Sequence, residues 1–98
     1  MIAVQAETEP CFLCRRRMKR GTTLHHLIPR TLHSNKWFQR RFTRAEMART
    51  IPLCHDCHGA VHRFVPKEKD LGRNFNTPEL LLAHEKIGNF VRWVRRQK

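Results

Sequence analysis

The sequence lacks any long apolar run. No segment approaches the roughly 20 apolar residues that a membrane-spanning helix requires, since even the leucines at 80–82 are soon followed by His84, Glu85 and Lys86. The first residues also lack the basic and apolar segments of a secretory signal peptide. We therefore expect a soluble, cytoplasmic protein with no membrane partner. In such a reducing compartment, closely paired cysteines are more often metal ligands than disulfides.

Acidic residues are also scarce. The chain of 98 residues has 8 Asp and Glu against 20 Lys and Arg, which gives a formal net charge of +12. So basic a surface favours a polyanionic partner, with DNA as the first candidate and RNA as the alternative. The apolar fraction of 40% is too high for a disordered basic tail. The length predicts one domain, for which monomer and homodimer both remain open.

Local patterns predict how the first two thirds of the chain are organised. Residues 1–10 have no amphipathic period and indicate a loose leader. Residues 22–28 are rich in β-branched and apolar side chains and stop at a proline, which predicts a short strand. Thr43 and Glu46 fit a capping box at the start of a short helix that reaches about residue 49. Residues 50–53 are expected to be extended and to lead into a helix.

The remaining residues, 66–98, predict a loop and a C-terminal helical extension packed on the same domain. Gly72 and the asparagines near it favour the loop. Thr77 and Pro78 then start a single helix, with a possible kink at Gly88. Its core-facing positions are predicted to be Leu80, Ala83, Ile87, Phe90, Val91 and Val94.

Two Cys-x-x-Cys pairs are present, Cys11 with Cys14 and Cys54 with Cys57. Four thiolates in this arrangement favour a tetrahedral structural zinc, which would supply folding energy that a small core lacks. One alternative is two independent dithiols. Another is haem attachment at residues 54–58. The other cysteine pair and the lack of a signal peptide argue against it.

Four histidines form a second candidate site. His58 and His62 stand four residues apart on the helix after the second cysteine pair, so both rings project from one face. His25 and His26 lie near the end of the predicted strand. If zinc brings strand and helix together, three imidazoles can hold a divalent cation while a fourth acts as a base. His33, His55 and His84 are given no role.

The ordered combination of residues 11–14, 25–29 and 51–62 resembles the HNH endonuclease family, in its subtype with a four-cysteine structural zinc. The resemblance implies a small α+β domain of the ββα-metal (His-Me finger) fold over residues 11–65. It implies His26 as the base that activates water. The implied ligands are His25, His58 and His62 for the catalytic metal, and Cys11, Cys14, Cys54 and Cys57 for the zinc.

The function implied by this resemblance is metal-dependent hydrolysis of phosphodiester bonds in DNA, by nicking or double-strand cleavage. One catalytic divalent ion (Mg²⁺, Mn²⁺, Ni²⁺ or Zn²⁺) would act beside the structural Zn²⁺. The chain departs from the family in one respect, because residues 46–53 contain no asparagine where the family has one that pins the loop carrying the base. The alternative is a zinc-stabilised DNA-binding module without catalysis.

The basic residues around the first cysteine pair are candidates for phosphate contact, although a solvated charge run would have the same composition. The predicted nucleic-acid-binding residues are Arg15, Arg16, Arg17, Lys19, Arg20 and Arg30. Trp37 and Phe38 are interpreted as core residues rather than as a platform on which bases stack.

Overall fold

The computed structural model describes residues 9–97, so residues 1–8 of the predicted leader lie outside the described residues. Within this range the chain is a small α+β protein with a two-stranded sheet. Its elements are β1 (Thr23–His26), a 3-10 helix (Arg30–Leu32), α1 (Lys36–Arg41), α2 (Arg44–Met47), β2 (Thr50–Leu53), α3 (His55–Phe64), α4 (Glu68–Asn74), α5 (Pro78–Ala83) and α6 (Glu85–Val94). No helix in residues 9–97 is long and apolar enough to cross a membrane.

The sheet pairs β1 and β2 antiparallel, with Thr23 opposite Leu53 and His25 opposite Ile51. Because side chains alternate along a strand, His25 turns inward while its neighbours are at least partly exposed. The strand predicted over residues 22–28 is therefore confirmed but shorter, since it ends at His26. The pairing extends by one further hydrogen bond, from Leu27 N to the Arg49 carbonyl at 3.2 Å.

The segment between the strands folds into three short helices with a small core of their own. Asn35 caps α1 by accepting hydrogen bonds from the amides of Trp37 and Phe38. The predicted capping box of Thr43 and Glu46 is confirmed, with reciprocal bonds of 3.0 and 2.7 Å. The buried residues of this small core are Ile28, Leu32, Phe38 and Met47.

The helix predicted after the second cysteine pair is confirmed as α3. Cys54 is its N-cap, with its sulfur accepting from the amide of Cys57. The buried side of α3 packs against the sheet and against α6. The main core therefore joins both cysteine pairs, the sheet, α3 and the C-terminal helices.

The prediction of a loop around Gly72 is wrong, because Gly72 and its neighbours form α4. Glu68 and Asp70 occupy its first turn, where acidic groups favour a helix, and Leu71 is fully buried. A Cβ at Gly72 would lie 2.9 Å from the Leu32 side chain and 3.1 Å from the Phe38 ring. The glycine is thus a close-packing position between α4 and the small core rather than a turn.

The prediction of a single C-terminal helix is also wrong, because the helix is interrupted at His84 and forms α5 and α6. His84 has an extended backbone (φ −66°, ψ 125°), and its Nδ1 accepts from the amides of Lys86 and Ile87. The sequence placed the possible kink at Gly88, four residues later. The break also shifts the buried face of α5, so that Leu81 is buried while Leu80 and Ala83 are exposed.

Gly88 has a packing role that helix propensity does not reveal. A Cβ there would lie 2.6 Å from the Leu82 carbonyl oxygen, whereas a Cβ at Gly59 in α3 would meet nothing within 4 Å. We expect Gly88→Ala to lower the free energy of unfolding by about 1–3 kcal/mol. The matched Gly59→Ala should instead raise it by up to about 1 kcal/mol. Urea unfolding of both variants checks this, and equal effects would contradict it.

Candidate functional site

The four cysteines form one cluster. All four are buried, and their sulfurs lie within 4.8 Å of one another. The sulfurs of Cys14 and Cys54, which are 40 residues apart in sequence, are separated by 3.8 Å. This geometry contradicts two independent dithiols. Four free cysteines converging on one point have the donor set of a structural zinc site.

Each cysteine pair begins a tight turn of similar form. The amide of Cys14 points at the Cys11 sulfur at 3.5 Å, and the amide of Cys57 points at the Cys54 sulfur at 3.4 Å. The first turn continues through Arg15, whose φ of 67° lies in the left-handed region that non-glycine residues rarely adopt. The Arg15 guanidinium lies 4.6 Å from the centre of the Phe12 ring, which helps to hold the turn.

Arg16 is turned toward the cysteine cluster. Its guanidinium donates to the sulfurs of Cys14 and Cys54 at 3.4 and 3.7 Å, and it forms an ion pair with Asp56 at 3.3 Å. Only 12% of its side chain is exposed. The hydrogen bond to Cys14 is the largest contribution that raises the pKa of Arg16. The structure therefore gives Arg16 partners within the protein, which the sequence did not predict.

Contacts among the sulfurs shift the pKa values of the cysteines in opposite directions. Hydrogen bonds with the side chains of Cys54 and Cys57 lower the pKa of the Cys11 thiol. The same contact with Cys11 raises the pKa of Cys57. A thiolate at Cys11 is thus already favoured, and thiolate is the form that binds a metal ion. The positive charge of Arg16 lies beside the sulfurs of Cys14 and Cys54 and would offset part of the negative charge of four thiolates.

The remaining basic residues predicted to contact nucleic acid lie in two places. Arg17, Lys19 and Arg20 are exposed in the segment that closes at Gly21, whose amide donates to the Met18 carbonyl at 2.9 Å. Arg30 follows β1 and lines a cleft beside the histidines. Arg30 is thus the predicted basic residue that lies beside the histidine cluster.

His25, His58 and His62 form the second cluster. One ring nitrogen from each lies within 4.8 Å of the others. The ring of His25 is 5.2 and 5.4 Å from those of His58 and His62, centre to centre. The strand β1 supplies His25, and successive turns of α3 supply the other two, so the predicted meeting of strand and helix is confirmed.

The environment of His25 is unfavourable for an isolated side chain. Its exposed fraction is 1%, and neither ring nitrogen has a hydrogen-bond partner among residues 9–97. An unsatisfied buried polar group costs free energy, and a metal ion bound to the ring would offset that cost. Burial first, and then the neighbouring His58 and His62, lower the pKa of His25 to about 3. The neutral ring therefore keeps a lone pair available.

Thr23 orients His58 and was missed by the sequence analysis. Its hydroxyl oxygen lies 2.7 Å from His58 Nδ1 and donates to the Leu53 carbonyl at 3.4 Å. With the hydroxyl proton on that carbonyl, the oxygen would accept from Nδ1–H and the lone pair of His58 would lie on Nε2. Such a partner fixes ring and tautomer. The strand period could have revealed Thr23, which is two residues before His25 on the same face.

His26 lies beside the histidine cluster without belonging to it. It is half-buried at the end of β1 and lines a cleft of about 230 Å³ together with His25, His58, His62 and Arg30. Burial lowers the pKa of His26, with further contributions from His33 and Arg30. A neutral imidazole is the form that can accept a proton.

His33 holds the segment that follows His26. Its Nε2–H donates to the Ile28 carbonyl at 2.9 Å, and its ring lies 6.1 Å from that of His26. The side chain of Gln39 in turn donates to the His33 carbonyl at 3.1 Å. Sequence reasoning gave His33 no role, because its contact depends on how the inserted segment folds back. These bonds hold the chain after His26 although residues 46–53 contain no asparagine.

Comparisons of the chain with protein-family models, with curated proteins and with solved structures each found no match.

Cys14→Ser is expected to remove bound zinc and to lower the free energy of unfolding by more than about 4 kcal/mol, because one metal ligand and one core contact are lost together. Metal analysis and thermal unfolding measure the two effects. Asp56→Asn is the matched control, since Asp56 is exposed and contacts the cluster only through Arg16. A Cys14→Ser protein with unchanged melting temperature would refute the structural role.

Proposed function

We propose that the protein is a metal-dependent endonuclease of the HNH type that hydrolyses phosphodiester bonds in DNA. The observation that carries the proposal is the buried His25, whose unpartnered ring faces His58 and His62 beside a cleft that His26 and Arg30 also line. Burying the unpartnered His25 ring beside two other imidazoles is costly unless something compensates it, and a divalent cation would do so.

In this proposal His25, His58 and His62 hold the catalytic metal ion. Neutral imidazole is a common ligand for divalent transition metals, and the hydrogen bond between Thr23 and Nδ1 holds the His58 ring in place. A metal ion held there would stabilise the negative charge that develops on the phosphate and on the leaving oxygen. The α+β arrangement of β1, β2 and α3 would then correspond to the ββα-metal fold.

His26 is proposed as the general base. Its ring accepts a proton from a water molecule, the water oxygen bonds to phosphorus, and the ester bond to the leaving oxygen breaks. Pairing of β1 with β2 and the bond from His33 to the Ile28 carbonyl hold the chain on either side of this ring. A positioned base of this kind accelerates a reaction by roughly 10²–10⁴-fold.

Arg30 is proposed to bind the substrate phosphate. It is exposed and follows directly after the segment that carries His26. The neighbouring Thr31 hydroxyl donates to the Glu68 carboxylate at 2.7 Å, which ties this 3-10 helix to α4. The contact fixes the rim of the cleft. It also gives the Glu68 carboxylate a hydrogen-bond partner next to the site where the phosphate would bind.

The alternative of a zinc-stabilised DNA-binding module needs the cysteine cluster and the basic surface alone. It leaves the buried, unpartnered imidazole of His25 without an explanation. The two functions differ in whether the histidine cluster binds a second metal ion and whether DNA is cut.

Supercoiled plasmid with added Mg²⁺, Mn²⁺ or Ni²⁺ should be nicked or linearised, and His26→Ala should reduce the rate by about 10²–10⁴-fold while zinc content and melting temperature stay unchanged. His55→Ala is the control, because His55 is an exposed histidine of α3 outside the metal-holding cluster.

Cleavage by His26→Ala at the rate of the unmodified protein would refute the assignment of the base. No cleavage with any of the metals, with zinc retained and DNA bound, would favour the binding module.

Thr23→Val should weaken divalent metal binding at the histidine cluster by about 10–100-fold, because the isosteric side chain no longer forms the hydrogen bond that orients the His58 ring. Calorimetric titration of the zinc-loaded protein with Ni²⁺ measures the affinity. Thr22 is unsuitable as a control because it is buried, whereas Thr43→Val removes an exposed hydroxyl that caps α2 and lies outside the histidine cluster. Equal Ni²⁺ affinity in both variants would contradict the role of Thr23.

A further inference from the structure

Two arginines converge on one tryptophan away from both metal-ligand clusters. The guanidinium carbons of Arg41 and Arg73 lie 4.0 and 4.3 Å from the centre of the Trp37 ring. Arg41 also donates to the Trp37 carbonyl at 3.2 Å. We call these three residues the Arg–Trp–Arg cluster.

The fold builds this cluster from two separate helices. Trp37 and Arg41 lie one turn apart on α1, while Arg73 comes from α4. The close approach of α4 depends on Gly72, where any Cβ would crowd the Phe38 ring. Trp37 itself packs edge-to-face on Phe38, with ring centres 4.8 Å apart. The indole is therefore anchored to the small core, and both guanidinium groups are held by it.

This arrangement concentrates positive charge without a compensating carboxylate. Since both guanidinium carbons lie within 4.3 Å of the same ring centre, their separation is below the Debye length of about 10 Å in 0.1 M salt. In the described part of the chain, neither forms an ion pair. The acidic groups of α4 are engaged elsewhere, with Asp70 accepting from Asn74 and Glu68 from Thr31.

We propose that the Arg–Trp–Arg cluster binds the phosphate backbone of nucleic acid at a place distinct from the cleft beside the histidines. Stacking holds each guanidinium in a limited set of rotamers before the ligand arrives, so less entropy is lost on binding. The planar guanidinium can still donate from its N–H edge to phosphate oxygens. The net charge of +12 complements a polyanion over a wide surface.

The contact reads no base sequence. The Trp37 ring carries the two guanidinium groups and packs on Phe38, so it is not free to stack on a base, which agrees with its interpretation as a core residue. Phosphate contacts fix the position of a protein on a duplex without specifying sequence. The inference rests on the nucleic-acid binding of the proposed function and not on its cleavage step.

The test is the salt dependence of DNA binding by the double variant Arg41→Gln/Arg73→Gln. A fluorescent 20-base-pair duplex is titrated with zinc-loaded protein between 50 and 200 mM salt, without added divalent cation. The slope of log K against log salt should shrink by about one for each phosphate contact that is lost, and the loss of affinity should be the same for unrelated duplex sequences.

The matched control is Lys86→Gln/Arg96→Gln, which removes the same charge at two exposed positions of the C-terminal region. Arg41→Lys/Arg73→Lys provides a second comparison. It keeps both charges but loses the planar, stacked groups, and it should weaken binding with little change in slope. Thermal unfolding verifies that each variant is folded.

The inference is overturned if the Arg41→Gln/Arg73→Gln slope falls no further than that of the control. That result leaves the nuclease proposal standing if plasmid is still cut. Conversely, a slope loss larger than that of the control supports the inference even when no metal gives cleavage. Failure of the binding site and failure of the cleavage activity are therefore distinguished.

Discussion

The meeting of the two cysteine pairs is the constraint on which the rest of the structure depends. The sulfurs of Cys14 and Cys54 come within 3.8 Å across 40 residues, so the chain between them must leave and return to one point. Closing so long a loop costs entropy, and a metal ion held by all four sulfurs would offset that cost. The consequences are local as well. Cys54 is the N-cap of α3, so His58 follows on its first turn, and β2 ends where the second pair begins. The cysteine cluster thereby sets the position of the histidine cluster.

The histidine cluster, unlike the cysteine cluster, contains a buried polar side chain that costs the fold free energy. Nothing in residues 9–97 satisfies the ring nitrogens of His25, and each neighbouring imidazole disfavours its protonation. Such an arrangement persists only where the surrounding packing determines it, here through strand pairing opposite Ile51 and through Val61 in the core. Stability is thus supplied by the sulfur cluster and the main core, while the imidazoles are held in a geometry that isolated side chains would not adopt. The cysteine cluster therefore stabilises the fold and the histidine cluster does not, although α3 contributes side chains to both.

Sequence reasoning succeeded where the chemistry is local. Residue spacing was enough to predict both cysteine pairs, the capping box at Thr43 and the common face of His58 and His62. It failed where a residue serves a partner distant in the chain. Gly72 resembles a turn residue, but it is small because the Leu32 and Phe38 side chains lie against it. Gly88 resembles a helix breaker, yet the break lies at His84, and the glycine accommodates the Leu82 carbonyl. His33 acts through a contact that exists only after the inserted segment has folded, so no pattern in the sequence marks it, whereas the strand period marks only the face on which Thr23 lies.

The arginines show why net charge alone does not locate a binding surface. Arg16 belongs to the basic run most obviously suited to phosphate, but its guanidinium is turned toward two sulfurs and a carboxylate. Its charge balances thiolates, so it adds little to the attraction of an external polyanion. Arg41 and Arg73 are far apart in sequence and form no run, yet the packing of α4 on the small core brings both to one indole ring. Within residues 9–97 neither forms an ion pair, so their charges remain available to an anion in solution. Helix packing therefore creates a concentration of positive charge that no run of basic residues in the sequence marks.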